Sequence, residues 1–361
     1  MSLLFSPLTV RGVTVRNRLW VAPMCQYSAV DGVPQEWHRT HLAQFASGGA
    51  GLVVAEATAV SPEGRISLED TGLWTDEQRD AWAPIVAAIR DRGARAGVQL
   101  AHAGRKASTW SPFSGEHGSV PAAAGGWTTV APSAIAFEGY DVPHELDAAG
   151  IDEVVADFAA AARRAVDAGF EVLEIHAAHG YLVHQFLSPL ANRRTDEYGG
   201  SLENRARLLL RIVDAVRAAA PDVPVFVRLS ATDWADGGWD VAQTVQVARW
   251  AADHGADLFD VSSGGLVAHQ RIETGPGYQV EFAARVRNEA GVAVSAVGMI
   301  DDAVQAEAIL AAGDADAVSS AREWLRDPHF ALRASVELGD EIAYWPAQYL
   351  RARRRTPARA A

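Results

Sequence analysis

Residues 174–182 read EIHAAHGYL, with His176 and His179 three apart and Tyr181 two places further on. Two imidazoles brought together can each donate a hydrogen bond to one oxygen, or they can ligate one metal. A phenol beside them stays protonated at neutral pH and can still deliver a proton. The trio therefore suits a reaction in which charge develops on an oxygen while a nearby carbon is protonated. In an extended strand, residues three apart point to opposite faces, so the histidines converge only if the chain enters a helical turn at His176, which Gly180 is placed to permit. A metal would need a third ligand, and neighbouring strand ends offer only Glu56 or Asp260.

Such groups need a scaffold. The chain has 361 residues, 49% of them apolar, enough for one large barrel or two ordinary domains. Its net charge of -13 argues against a sequence-blind grip on nucleic acid or an anionic membrane. With Cys25 as the only cysteine, an internal disulfide, a cysteine-only zinc site and a four-cysteine iron–sulfur cluster are excluded, and a cytoplasmic setting is expected. The opening MSLLFSPLTVRG does not read as a secretory leader, and no apolar run is long enough to span a bilayer.

Along the chain, short apolar or β-branched runs alternate with stretches of helical period, as parallel strands joined by crossover helices require. The strand candidates are 18–24, 51–60, 96–104, 170–178, 223–230, 257–265, 292–299 and 316–322. Helices are expected from Thr75, Ile151, Leu202, Val241, Gln279, Asp301 and Asp327. Eight such units predict an α/β fold, a single (β/α)₈ TIM barrel spanning 1–361. An open doubly wound sheet would normally carry G-x-G-x-x-G, which is absent, as is a G-x-x-x-x-G-K-[ST] phosphate loop. Residues 1–17 read as a hairpin closing the barrel floor, 105–146 as a lid inserted after the third strand, and 346–361 as a C-terminal tail.

Barrels of this kind place their chemistry at the C-terminal strand ends. There the sequence puts Pro23, Met24, Cys25 and Tyr27 on the first strand, Ala57 on the second, Gln99 and His102 on the third. Arg228 ends the fifth, Ser262 and Ser263 the sixth, Gly298 the seventh, Ala321 and Arg322 the eighth. A guanidinium near a barrel core asks for negative charge, from a ligand or from a carboxylate on the next strand. Backbone amides at the ends of the last two strands commonly cradle a phosphate. An anionic ring over Arg228 with a phosphate at Arg322 describes a flavin mononucleotide lying across the mouth.

These residues carry a resemblance. The chain resembles the bacterial, thermophilic-like branch of the old yellow enzyme family of FMN-dependent ene-reductases, through FSPLTVRGVTVRNRLWVAPMCQYSA, VQLAHAGRK, EIHAAHGYLVHQFLSPLANRRTDEYGGSLENRARLLL and REWLRDPHF. The resemblance implies noncovalent FMN, with Ala22, Pro23, Met24 and Cys25 against the ring, Ala57 and Gln99 at its polar edge and Arg228 facing the N1–C2 region. It implies a phosphate held at Gly298, Ala321 and Arg322, where the family's usual Gly-Arg is here Ala-Arg, a departure tolerable if only the backbone N–H is used. NADPH or NADH would donate hydride, and the activated C=C bond of an α,β-unsaturated carbonyl compound (enone, enal or maleimide) or a nitro compound would receive it. His176 and His179 would hold the substrate oxygen, joined by Tyr27, and Tyr181 would protonate the α-carbon. Cys25 would tune the flavin potential; read from residues alone it is a small apolar filler. A homodimer or dimer of dimers is implied, with a C-terminal arginine, matched to Arg351, crossing into the neighbouring site.

Other classes remain open to this sequence. A metal-dependent barrel hydrolase would use His176 and His179 as ligands. An RNA-modifying flavin barrel would need a basic surface, which the net charge of -13 opposes. A noncatalytic binding barrel would not need Tyr181 beside the histidines.

Overall fold

The computed structural model describes residues 1–353. Strands β1 (Leu8–Val10) and β2 (Val13–Val15) pair as an antiparallel hairpin. Then come β3 (Leu19–Val21), β4 (Leu52–Ala59), β5 (Arg95–Ala101), the two-residue strands β6 (Val130–Ala131) and β7 (His144–Glu145), β8 (Val172–Ala177), β9 (Val225–Ser230), β10 (Leu258–Ser262), β11 (Val294–Ala296) and β12 (Ala317–Ser320). Eight of them close a parallel barrel in the order β3-β4-β5-β8-β9-β10-β11-β12, and β12 pairs back to β3.

The helices are α1 (Glu36–Ser47), α2 (Asp76–Arg90), α3 (Ala148–Asp167), α4 (Leu182–Leu187), α5 (Leu202–Ala219), α6 (Val241–Asp253), α7 (Val280–Arg285), α8 (Ala303–Ala312), α9 (Arg322–Arg326) and α10 (Phe330–Glu337). Five of them begin alike: Thr75, Asp147, Ser201, Asp240 and Asp302 each accept the amide three residues on, satisfying a donor the helix cannot. The sequence reading passed over α1. Its buried face is made of His38, His41, Leu42 and Phe45, and two histidines in that stripe break the apolar period.

The barrel floor is packed by Trp20, Leu52, Val54, Val172, Phe226 and Leu258, with Leu8 and Val10 of the hairpin against them. Every expected strand is present, and all but β9, which ends at Ser230 as expected, are shorter at the C-terminal end. Pro23, Met24, Cys25 and Tyr27 lie in the loop beyond β3 rather than on the strand, as a proline without an N–H dictates. Gly298 likewise follows β11, and Ala321 caps α9. Residues 105–146 bridge β5 and α3, carry β6 and β7, and bring Trp110, Pro112 and Tyr140 to one cavity with Tyr27 and Tyr181. Of the expected tail, residues 354–361 lie outside the described residues.

Candidate active site

The turn after β8 carries the histidine pair. β8 ends at Ala177, and instead of the expected helical turn the chain takes two left-handed residues, His179 (φ 58°) and Gly180 (φ 75°). That reversal brings the rings together. His176 lies 5.1 Å from His179 and 4.9 Å from Tyr181, centroid to centroid, each nearly perpendicular. A side chain at Gly180 would sit 2.2 Å from the Gly265 carbonyl oxygen, so only glycine lets the turn press against the loop after β10. The turn is also tied down from below: the Gly180 amide donates to His184 Nδ1 at 2.9 Å, and His184 Nε2 is 3.0 Å from Asp233, both fully buried.

Hydrogen bonding sets the tautomer of His176. Its Nδ1 accepts the Ala178 amide at 3.2 Å, so in the neutral ring the proton is on Nε2, available to donate. His179 has its amide on Ser230 Oγ and its Nε2 2.8 Å from Ser262 Oγ. Burial, then the positive charge of Arg228, holds both imidazoles well below their ordinary range. Burial pushes the Tyr181 phenol well above its own. The trio is therefore neutral, made of donors rather than ions.

Tyr27, left-handed at φ 49°, faces Phe113 edge-on at 5.8 Å. With Tyr181, Lys106, Trp110 and Tyr140 it lines a cavity of about 490 Å³. Lys106 was not singled out from sequence, although it follows β5 directly in GRK. Its ammonium is 2.9 Å from both the His179 and Gly265 carbonyl oxygens and 5.2 Å from the Tyr181 ring centre. Burial lowers it to about 8. Tyr140 and Trp110 had no sequence signal, since nothing local shows where a long loop folds back.

Beside this cavity lie the remaining strand-end residues. A bulge between Ala55 and Ala57 puts Ala57 in register with Gln99, so the two are neighbours. The same bulge turns Glu56 to His38 Nε2 at 2.8 Å and the Gln26 amide at 2.5 Å, which holds the chain beside half-buried Cys25. Desolvation, then Asp70 and Glu56, keeps the Cys25 thiol well above its usual range. Ala22 donates its amide to Ser320 at 2.9 Å, and Pro23 and Met24 are half-buried beyond it. Arg228 has its carboxylate on the next strand: Nε is 3.3 Å from Asp260 Oδ2, across a register pair. His102 accepts the Gly104 amide at 3.0 Å and serves its own turn.

A second cavity of about 160 Å³ sits where β10, β11 and β12 end, lined by Ser262, Gly298, Met299, Ala321 and Arg322 among others. Gly298 (φ 126°) and Met299 (φ 50°) turn the chain there, and a Cβ on Gly298 would meet Gln279 Nε2 at 2.7 Å. Ala321 has φ -117°, outside the left-handed region that would call for glycine. A small cavity with Arg322 on its wall suits a phosphate. Small residues at Ala22 and Ala57, the Gln99 amide and the buried Arg228 guanidinium suit the flat polar ring of FMN. Arg351 is exposed on a short C-terminal turn and lines neither cavity.

Glu56 and Asp260 are thus engaged elsewhere, and among the described residues no group of three or more His, Cys, Asp or Glu is placed to hold a metal. No helix among them is long and apolar enough to cross a membrane. A family model described as the NADH:flavin oxidoreductase / NADH oxidase family matches residues 3–341. The NADPH dehydrogenase of Bacillus subtilis is 46% identical over 351 residues, covering 96% of this chain and 98% of its own. That of Listeria monocytogenes is 48% identical over 355 residues, covering 98% and 99%. The solved old yellow enzyme homologue from Zymomonas mobilis has a TM-score of 0.77 at 30% identity, over 97% of this chain and 98% of that one. These likenesses lend the metal-hydrolase alternative no support. Matched over almost its whole length, barrel and mouth together, the chain belongs to the NADH:flavin oxidoreductase / NADH oxidase family and is an FMN-dependent NAD(P)H oxidoreductase of the old yellow enzyme kind.

Proposed function

We propose that the protein reduces the activated C=C bond of α,β-unsaturated carbonyl compounds (enones, enals and maleimides), and nitro compounds of similar shape. When bound, FMN would supply the two-electron chemistry of a ping-pong cycle, hydride from NADPH or NADH to flavin N5 and from there to the substrate β-carbon. Ala22, Pro23, Met24 and Cys25 would lie against its ring, Ala57, Gln99 and Arg228 at its polar edge, and Gly298, Ala321 and Arg322 at its phosphate. His176 and His179 hold the substrate oxygen, and donors fixed in advance stabilise the charge that develops there, by ~3 kcal/mol for one such donor. Tyr181 gives its phenolic proton to the α-carbon, and Lys106 above its ring favours the phenolate left behind. Tyr27 meets the substrate oxygen, Cys25 tunes the flavin, and residues 105–146 act as a lid. Arg351 completes the neighbouring subunit's site in a dimer.

The observation that carries this reading is the neutral pair His176 and His179 with the His176 ring against Tyr181, which itself lines the cavity. The test is the visible spectrum of FMN-loaded protein under anaerobic addition of NADPH, then 2-cyclohexenone. Bleaching by the first and recovery with the second is the expected result; bleaching without recovery removes the enone from the proposal.

A further inference from the structure

Just behind the mouth, the barrel interior is polar. Gln99 of β5 lies in register with Glu174 of β8 and donates from Nε2 to Glu174 Oε1 at 2.7 Å. Arg228 of β9 lies in register with His176 of β8 on one side and Asp260 of β10 on the other. Asp260 lies in register with Ser295 of β11, whose Oγ is 2.8 Å from Ser319 Oγ in β12. Six strands thus give one polar side chain each to a belt across the barrel, and all six are buried.

Two carboxyl groups share one guanidinium in this belt. With both ionised, a buried negative charge is left without a partner, which is costly. The Arg228–Asp260 contact leaves Glu174 as the odd member. Burial, then Asp260, pushes Glu174 up to about 8, against the pull of Arg228 and the Gln99 hydrogen bond. Glu174 is therefore bonded to one of the residues assigned to the flavin's polar edge and within electrostatic reach of the other.

We propose that Glu174 is a positioning residue for that polar edge: it orients the Gln99 amide and takes up a proton when the flavin is reduced, offsetting the charge gained beside Arg228. The inference rests on the seating of FMN proposed above. Because Gln99 gives one Nε2 hydrogen to Glu174, the orientation of its amide is set, leaving Oε1 to accept from the flavin and the second N–H to donate. The balance is simple. Hydride brings two electrons and one proton from the nicotinamide, and in alkaline solution, where Glu174 starts ionised, one further proton from solvent converts its carboxylate to the acid. The charged and titratable groups facing Glu174 are Arg228 on β9, Asp260 on β10 and His176 on its own strand. Arg228 and Asp260 are paired and His176 is held neutral, so Glu174 is the group that responds.

The experiment is a spectroelectrochemical titration of FMN-loaded wild type and Glu174→Gln from neutral to alkaline pH, with FMN affinity measured on the same samples. Above about pH 8 the wild-type potential falls more steeply by one proton, a tenfold change in equilibrium constant per pH unit, or about 30 mV for a two-electron couple. In Glu174→Gln the extra steepness disappears while FMN stays bound. A wild type without the steepening, or a variant that retains it, overturns the proposal. Should Glu174→Gln not fold, reduced-minus-oxidised infrared spectra of alkaline wild type decide: a carboxylic-acid band gained on reduction supports the proposal, and no such band overturns it. A wild type that does not bind FMN, with Arg228 intact, would instead overturn the seating on which the inference rests.

Discussion

The floor and the mouth of the barrel are made from the same strands and obey opposite rules. Along β8 the inward positions run Val172, Glu174, His176; along β9 they run Phe226, Arg228, Ser230; along β10, Leu258, Asp260, Ser262. A period of two puts each set on one face, so the interior is layered: apolar floor, charged belt, hydrogen-bonding mouth. At the floor Trp20 stacks on Phe226 at 5.9 Å and sends its indole N–H to the Asn17 carbonyl. Nothing there is left wanting a partner. At the mouth, buried polar atoms stay without a hydrogen-bond partner, among them His102 Nε2 and Asp260 Oδ1. The difference teaches that one end of the barrel holds the fold together, while the other keeps costly polar groups ready for a ligand.

Substitutions at the two ends should separate rate from stability. The largest effect expected is at the mouth: Tyr181→Phe slows flavin reoxidation by an enone ~10² to 10⁴ fold, the usual range for a general acid. Its melting temperature and its reduction by NADPH should match wild type. Stopped-flow traces of both half-reactions check this, and an unchanged reoxidation rate would sink the role of Tyr181. At the floor the pattern inverts. Trp20→Ala leaves a cavity under the belt and should lower unfolding free energy by ~3 to 5 kcal/mol in denaturant titration. The activity of the molecules that remain folded should hold. If Trp20→Ala instead left stability intact and slowed turnover, the division between floor and mouth would fail.

The smallest effect expected is an absence of change. An ordinary imidazole titrates near about pH 6.5. Burial and Arg228 lower both His176 and His179, so they keep the neutral form as pH falls through that range. The rate of enone-driven reoxidation should therefore show no inflection there. An inflection that vanishes in His179→Asn would mean that the pair is more open to water than its packing indicates.

The eight strands were legible because parallel strands covered on both sides are short apolar runs, and the spacing of their ends pointed to the residues at the mouth. His176, His179, Tyr181 and Arg228 could be named from position alone. The helix Glu36–Ser47 was not legible, since histidines hold part of its buried face. Lys106 escaped notice because its partners, the carbonyl oxygens of His179 and Gly265, lie 73 and 159 residues away. Cys25 and Tyr27 were placed on a strand that had already ended.

What this sequence determined by itself was the set of chemical groups and the barrel that orders them, because periodicity and strand-end position are local properties of the chain. What only the tertiary structure decided was how those groups are held: the left-handed pair at His179 and Gly180, the bulge that aligns Ala57 with Gln99, and the belt linking Gln99, Glu174, Arg228 and Asp260. Each of these depends on register between strands far apart in sequence, and register is settled only when the barrel closes.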